Sequence, residues 1–394
     1  MLTAVSAYFS ARWPPQSRSG LEQQQLRLWG RLQSRFALSP ALASYAKKPL
    51  AELPVISTAE FRDRFSDCTT QGLDAAVAAD AALAAETDGR EILPGGLSAG
   101  FSTGTGGGTR GLFVASPVER AIYGGRLAGK LFGPLELAGL TRIGVCLRAP
   151  NRLYEKRRVR FFGLADGDRD TAIAAWDPQV LIAPPQVLLE LADAGRPLPA
   201  LRRLFYGAET LNAAERRFIT TRLGRRPDPI YQATEGFLGA PCEIGTLHLN
   251  EDALIVERAP LGGDRFQPIV TDLLRRTQLV VRLKLDDILR PKTCACGSPL
   301  MAVHPVEGRV QDIWRWGEQV VFPGDVEAAV ATHIAPGHRW IAIGHSGGIA
   351  FACEQDADAP RLAGALAAFG RKLSREPYDR GLDFPKRRHV RWRP

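Results

Sequence analysis

The chain has 394 residues, 45% of them hydrophobic and 24% charged. That balance belongs to a folded protein with a sizeable core and excludes general disorder, and the length predicts two or three domains. A net charge of +9 admits nucleic acid, an anionic membrane surface or an anionic small ligand as partner. The basic residues are scattered among acidic ones with no helix-turn-helix or RNA-stacking signature, so nucleic acid is not expected and a nucleotide-linked substrate fits as well. For any one basic cluster, such as Arg152–Arg160 or Lys386–Arg393, a solvated face is the plainer reading.

Met1–Ser19 carries charges and prolines instead of the apolar stretch of a secretory signal. No apolar run reaches the length of a membrane span. Six cysteines in so long a chain do not form a disulfide framework. A cytoplasmic protein without a membrane partner is expected.

Apolar residues at helical spacing (Leu26, Trp29, Leu32, Phe36) predict an amphipathic opening helix over Leu21–Ala43. Glu60–Ala85 is Ala-rich and reads as mostly helical. From Thr141, short apolar runs at Ile143–Leu147, Val180–Ala183, Leu201–Tyr206 and Pro229–Tyr231 alternate with helical stretches Gln186–Ala194 and Asn212–Leu223. Such alternation predicts a mostly parallel, wound α/β sheet. Extended segments at Thr246–Val256, Phe266–Leu273 and Leu279–Leu289 predict a β region appended to it. A smaller α+β unit follows, with helices Val326–His333 and Arg361–Lys372 around strands Trp340–Ile343 and Ile349–Cys353. The fold class is therefore α/β, divided into a large part over 1–310 and a small part over 311–394.

Four segments carry chemistry. Phe101–Gly111 holds five glycines and four hydroxyl residues, a loop able to curl its N–H groups inward around phosphate oxygens while Ser and Thr add donors or meet magnesium. It lacks the Gly-Lys-Ser/Thr ending of a Walker A loop, and its plain alternative is a flexible linker. Tyr231-Gln-Ala-Thr-Glu-Gly236 ends a predicted strand, where open α/β sheets bind ligands. There an aromatic ring can stack on a base and a carboxylate can hold magnesium. In Val281–Ile288, Asp287 offers acceptors for the two hydroxyls of a ribose. In Glu307–Asp312, Arg309 offers an anion or ribose contact at a glycine bend. Taken singly, each of the last three is better read as an ordinary polar turn.

In this order the segments resemble the acyl-adenylate-forming superfamily, and within it the phenylacetate–CoA ligase and coenzyme F390 synthetase branch, from about Pro94 to about Val330. The glycine loop is similar to the family's phosphate loop, and Gly207-Ala-Glu209 to its adenine-side turn. Tyr231–Gly236 is similar to Tyr-Gly-Ala-Thr-Glu-Gly, and Arg282–Ile288 to the block that ends in the ribose carboxylate. Gly308–Asp312 resembles the hinge block and Val321-Phe-Pro323 the stretch after it.

The resemblance implies an enzyme that uses ATP and Mg2+ to convert a carboxylic acid, here an aromatic one, to acyl-AMP. The acyl group would then pass to CoA or to a carrier-protein thiol. It implies phosphate contacts from Ser102, Thr103, Gly104, Thr105 and Gly106, and adenine-side contacts from Gly207, Ala208, Glu209, Tyr231 and Thr234. Glu235 would hold magnesium, Asp287 and Arg309 the ribose, and Lys386 would bridge carboxylate and phosphate, although a basic tail explains Lys386 equally well.

Two features depart from the family. Arg110 stands where it carries Lys, and the small part is shortened, as in the short atypical adenylating protein of griseoluteic acid (phenazine) biosynthesis. Thioester formation is thereby less expected than adenylation. A chain that only adenylates and hands acyl-AMP to a partner enzyme, or a nucleotide-binding scaffold without turnover, are the alternatives.

Cys294-Ala-Cys296-Gly is a thiolate pair on a turn, and Cys242 and His248 lie upstream. Three thiolates and an imidazole complete a closed tetrahedral zinc set. The same branch looks similar here, whereas spacing alone leaves buried free cysteines as the alternative. Cys68, Cys146 and Cys353 are read as core residues. The acid itself is expected between the Arg148–Tyr154 turn, Tyr206–Ala208 and Phe237.

Overall fold

Five short strands rich in apolar residues lie side by side in the order Val159–Gly163, Ile143–Leu147, Val180–Ala183, Arg203–Tyr206 and Pro227–Pro229, every pair parallel. This is a computed structural model, and it describes residues 2–87, 89, 93–101, 110–140, 142–147, 157–207, 209–379 and 387–394. A parallel sheet needs cover on both faces, because its connections run over them. Helices Arg169–Trp176, Pro185–Asp193 and Ala213–Leu223 supply one cover, packing Ile173, Leu188, Leu191 and Ile219 against Leu181, Leu204 and Tyr206. Leu131, Phe132, Ile230 and Phe237 cover the other face over Val180 and Phe205. Side chains alternate along a strand, so Leu204 and Tyr206 serve the first face and Phe205 the second. Each fully buried Leu or Phe here is worth ~1.5–3 kcal/mol.

Beyond this sheet the chain turns antiparallel. One sheet has the order Ala302–Val303, Leu247–Leu249, Gly236–Pro241, Tyr231–Ala233. Another has Ile56–Ser57, Leu283–Lys284, Arg265–Asp272, Leu254–Gly262, antiparallel but for the first pair, which is parallel. From Trp314 to Val390 a further apolar cluster gathers round a four-stranded mixed sheet, ordered Leu373–Arg375, Gly348–Cys353, Trp340–His345, Val390–Arg393. Helices Pro323–Val330 and Ala359–Ala367 pack on it. No helix among the described residues is long and apolar enough to cross a membrane.

Several elements differ from expectation for local reasons. The opening region is two helices, Leu2–Arg12 and Arg18–Gln33. Pro14 and Pro15 separate them, and Ser17 caps the second by accepting from the Gly20 N–H. Glu60–Ala85 divides into Thr58–Asp63 and Ala75–Thr87 around an irregular stretch containing Gly72 at φ 59°. Within Leu279–Leu289 only Leu283–Lys284 is strand. Arg282 beside it has φ 45°, held there by a fork onto Glu257 at 2.7 and 3.0 Å. Strand Val159–Gly163, preceded by Arg157 and Arg158 and containing Arg160, had too little apolar pattern to be expected.

The first helix packs on Pro117–Leu131 with backbones in contact. A Cβ at Gly125 would stand 2.2 Å from the Ala4 carbonyl oxygen, and one at Gly129 2.3 Å from that of Tyr8. Gly129→Leu should therefore push the helix off and cost about 1–3 kcal/mol of stability, read as a lower urea midpoint. An unchanged midpoint would show that this contact does not contribute.

Candidate functional site

The parallel strands aim their C-terminal ends at one region, where Tyr206 runs into Gly207 and Pro229 into Tyr231. Gly207 has to be small: a Cβ there would lie 3.0 Å from the Ile230 carbonyl oxygen, so the turn closes directly on the next strand. Tyr231 is 6% exposed and packs in the cluster of Leu238, Leu247 and Leu285. Its hydroxyl donates to Asp287 Oδ2 at 2.7 Å. Burial, and then the Asp287 carboxylate, push the phenol well above its usual range, so it stays a donor. Beside the adenine-side role expected for its ring, its hydroxyl orients a carboxylate.

Asp287 faces Arg309 across an isolated β-bridge, with Nε 3.9 Å from Oδ1. Glu235 stands nearby, on the turn between Tyr231–Ala233 and Gly236–Pro241. Arg275 secures that turn by donating to the carbonyls of Thr234 (3.0 Å) and Glu235 (2.9 Å). The Glu235 carboxyl is raised above its ordinary range, first by burial and further by Asp287. A buried carboxyl that resists ionisation, close to the Asp287 carboxylate, makes a place that favours a cation. Among the described residues the fold thus brings together Tyr231, Thr234, Glu235, Asp287 and Arg309.

Other expected residues fall differently. Ser102, Thr103, Gly104, Thr105, Gly106, Ala208 and Lys386, with the Arg148–Tyr154 turn, lie outside the described residues. The strands either side of 102–109, Ser98–Phe101 and Leu112–Ala115, form an antiparallel pair with Phe101 opposite Leu112. Arg110, just after the loop, is forked onto Glu86 (2.5 and 3.0 Å) and lies over the Phe101 ring at 4.6 Å. The guanidinium is thereby tied to the hairpin base. Tyr206 and Phe237 do not share a wall: they pack on opposite faces of the parallel sheet. Phe237 instead meets Tyr123 edge-on at 6.2 Å. Glu209 is buried and pairs with Arg387, its Oε2 3.5 Å from Nε. Sequence reading had not singled out Arg387, whose only signal was its place beside Lys386.

A second constellation lies apart from these residues. The ligand atoms of Cys242, His248, Cys294 and Cys296 all fall within 4.8 Å of one another. The Cys242 and Cys294 sulfurs are 3.7 Å apart, and Cys296 Sγ is 3.4 Å from His248 Nε2. His248 Nδ1 is 2.8 Å from the Leu300 carbonyl oxygen, which fixes the proton on Nδ1 and leaves Nε2 as a lone-pair donor. All six cysteines are free of disulfides. Such a set can hold one tetrahedral metal ion.

No protein-family model and no curated protein sequence matches the chain. Its likeness is in three dimensions, and the class it defines is the fold of adenylate-forming ligases and synthetases. A 2-hydroxyisobutyryl-CoA ligase in the postadenylation state with 2-HIB-AMP matches at a TM-score of 0.64 and 14% identity, over 94% of this chain and 88% of that one. An acyl acid amido synthetase in complex with 2,4-DB matches at 0.52 and 12%, over 91% and 86%. An anthranilate CoA ligase in complex with anthranoyl-AMP matches at 0.51 and 14%, over 75% and 66%.

The raised Glu235 carboxyl has a consequence for stability. A group raised in the fold contributes stability below its ordinary value of 4.5 and loses it as pH climbs through the folded value. Glu235→Gln should therefore melt higher than the wild type at neutral pH, without added ligands, and the gap should close below about pH 4. A variant that melts lower at pH 7 would contradict this burial cost.

Proposed function

We propose that the protein activates a carboxylic acid with ATP as an acyl-AMP, releasing pyrophosphate, and passes the acyl group to CoA or to a carrier-protein thiol. Within the fold class we infer a place beside the phenylacetate–CoA ligase and coenzyme F390 synthetase branch, with an aromatic acid as substrate. The observation that carries the reading is the meeting of Tyr231, Glu235, Asp287 and Arg309 at the strand ends, from three separate segments between 231 and 309. The ligands of the structural neighbours, an acyl-AMP in two of them, support it.

In this reading Asp287 accepts from both ribose hydroxyls, Tyr231 fixes its orientation, and Arg309 flanks the sugar. Gly207, Ala208, Glu209 and Thr234 border the base. Ser102, Thr103, Gly104, Thr105 and Gly106 donate to phosphate oxygens. Glu235 would hold Mg2+, which neutralises phosphate charge when bound. Lys386, from a small domain over 311–394, bridges the substrate carboxylate and the α-phosphate. A carboxylate oxygen then bonds to the α-phosphorus as the bond to pyrophosphate breaks. The chain contributes position and charge compensation.

ATP–pyrophosphate exchange with a panel of aryl acids tests this. Exchange should appear with at least one acid, and Asp287→Ala should lower kcat/KM for ATP by about 100-fold. Binding of ATP without exchange for any acid would leave a nucleotide-binding scaffold. AMP release that is the same with and without CoA would favour the second reading, an adenylating protein that hands acyl-AMP to a reductase or amide-forming partner. The ion pairs that tie the tail to the rest of the chain favour that second reading.

We further propose that Cys242, His248, Cys294 and Cys296 hold a structural zinc ion, since three thiolates and an imidazole leave no position for substrate. Protein purified without chelator should contain about one zinc per chain. Cys294→Ser should lose that zinc and melt lower, and a zinc-free wild type of unchanged melting temperature would end the idea.

A further inference from the structure

The last described segment of the chain, 387–394, crosses back to the sheet ends. Arg387 is 7% exposed and both terminal nitrogens of its guanidinium are hydrogen-bonded. It donates to Glu215 Oε1 (2.5 Å) and Oε2 (3.3 Å) and to the Thr210 carbonyl (3.1 Å), and its Nε lies 3.5 Å from Glu209. The receiving carboxylate is fixed beforehand. Glu215 is the third residue of the Ala213–Leu223 helix, in a capping box where it accepts from the Asn212 N–H. Thr210 in turn donates to Glu327 of the Pro323–Val330 helix at 2.7 Å.

The next residue grips a different place. Arg388 forks onto Asp312, at 2.7 Å for the Nε bond, just beyond the Arg309 that pairs with Asp287. His389 then stacks on Trp340 at 4.4 Å, Trp314 Nε1 donates to the Arg391 carbonyl at 2.5 Å, and Val390–Arg393 becomes a strand beside Trp340–His345.

Resting on the acyl-AMP reading, we propose that Arg387 is a positioning residue for adenylation. It latches the described tail onto Glu209, at the turn after Arg203–Tyr206, and with Arg388 it holds the sheet of Trp340–His345 and Val390–Arg393 in a single arrangement. The chemistry selects arginine. A forked, permanently charged group matches a carboxylate edge to edge, whereas lysine offers a point charge without the fork. Without it, the Glu209 and Glu215 carboxylates are left with no guanidinium between them, and like charges so placed repel.

Pulsed electron resonance on the full chain tests the latch. Labels go on encoded azidophenylalanine in place of Glu243 and Asp356, two exposed sites on either side of the joint. The otherwise wild-type protein should give one narrow distance distribution, with and without ATP and acid. Arg387→Ala and Glu215→Gln should broaden it, and Arg387→Lys should broaden it less. Two populated distances in the wild type, or an Arg387→Ala distribution as narrow as the wild type, would overturn the proposal.

In pyrophosphate exchange, Arg387→Ala should lose about 100-fold in kcat with KM for ATP little changed, and Arg387→Lys should recover part of the loss. An Arg387→Ala variant with wild-type kcat would refute the positioning role. If the wild type exchanges with no acid while its distances stay narrow and Arg387→Ala broadens them, the acyl-AMP reading fails and the latch stands.

Discussion

The backbone pairing of 286–288 with 307–310 is the constraint on which the rest depends. Val310 N–H donates to the Asp286 carbonyl at 2.8 Å, Ile288 N–H to Gly308 at 3.0 Å, and Glu307 N–H to Ile288 at 3.0 Å. These bonds set the separation of Asp287 and Arg309 before either side chain chooses a rotamer. They also place the start of the connection to the Trp314 strand against the loop that bears the carboxylate. Gly308 makes the crossing possible: its φ is 130°, and a Cβ there would meet Pro323 at 2.7 Å. Fixed main chain is the usual way a site keeps its geometry without help from a ligand.

Around that junction the charged groups are arranged in buried sets. Asp252 accepts from Arg126 at 2.7 Å and Lys130 at 2.9 Å, joining the Pro117–Leu131 helix to the Asn250–Ala253 turn. Glu119 caps that helix and also accepts from Arg276 and Thr277. Buried ion pairs of this kind add little net stability, since desolvation offsets attraction. They do penalise any arrangement that leaves one partner behind. Specificity of geometry is their contribution.

The wound sheet was legible because strands such as Val180–Ala183 and Ile143–Leu147 are apolar on both faces, and because Asn212 and Glu215 spell a helix start. Ordered blocks made Tyr231, Glu235, Asp287 and Arg309 readable as a group, since each lies at a strand end or glycine bend. What escaped depends on pairing across the chain. The Leu2–Arg12 helix has small residues on its buried face and meets two glycines of a helix more than a hundred positions away, so its own periodicity says little. Arg387 looked like one more basic residue of a charged tail; only the fold brings Glu215 to it, 172 positions distant.

Two neighbours on the small sheet's joint titrate in opposite senses. Glu327 is raised to about 7, chiefly by burial. Its favourable share is whole below 4.5 and is lost as pH climbs through about 7. His389 is depressed well below 6.5, by burial and then by Arg387 and Arg339. Its share is whole above 6.5 and fades as acid drives a proton onto the opened chain. Across the mildly acidic range the two slopes oppose one another, so a change of pH that loosens the joint through one group firms it through the other.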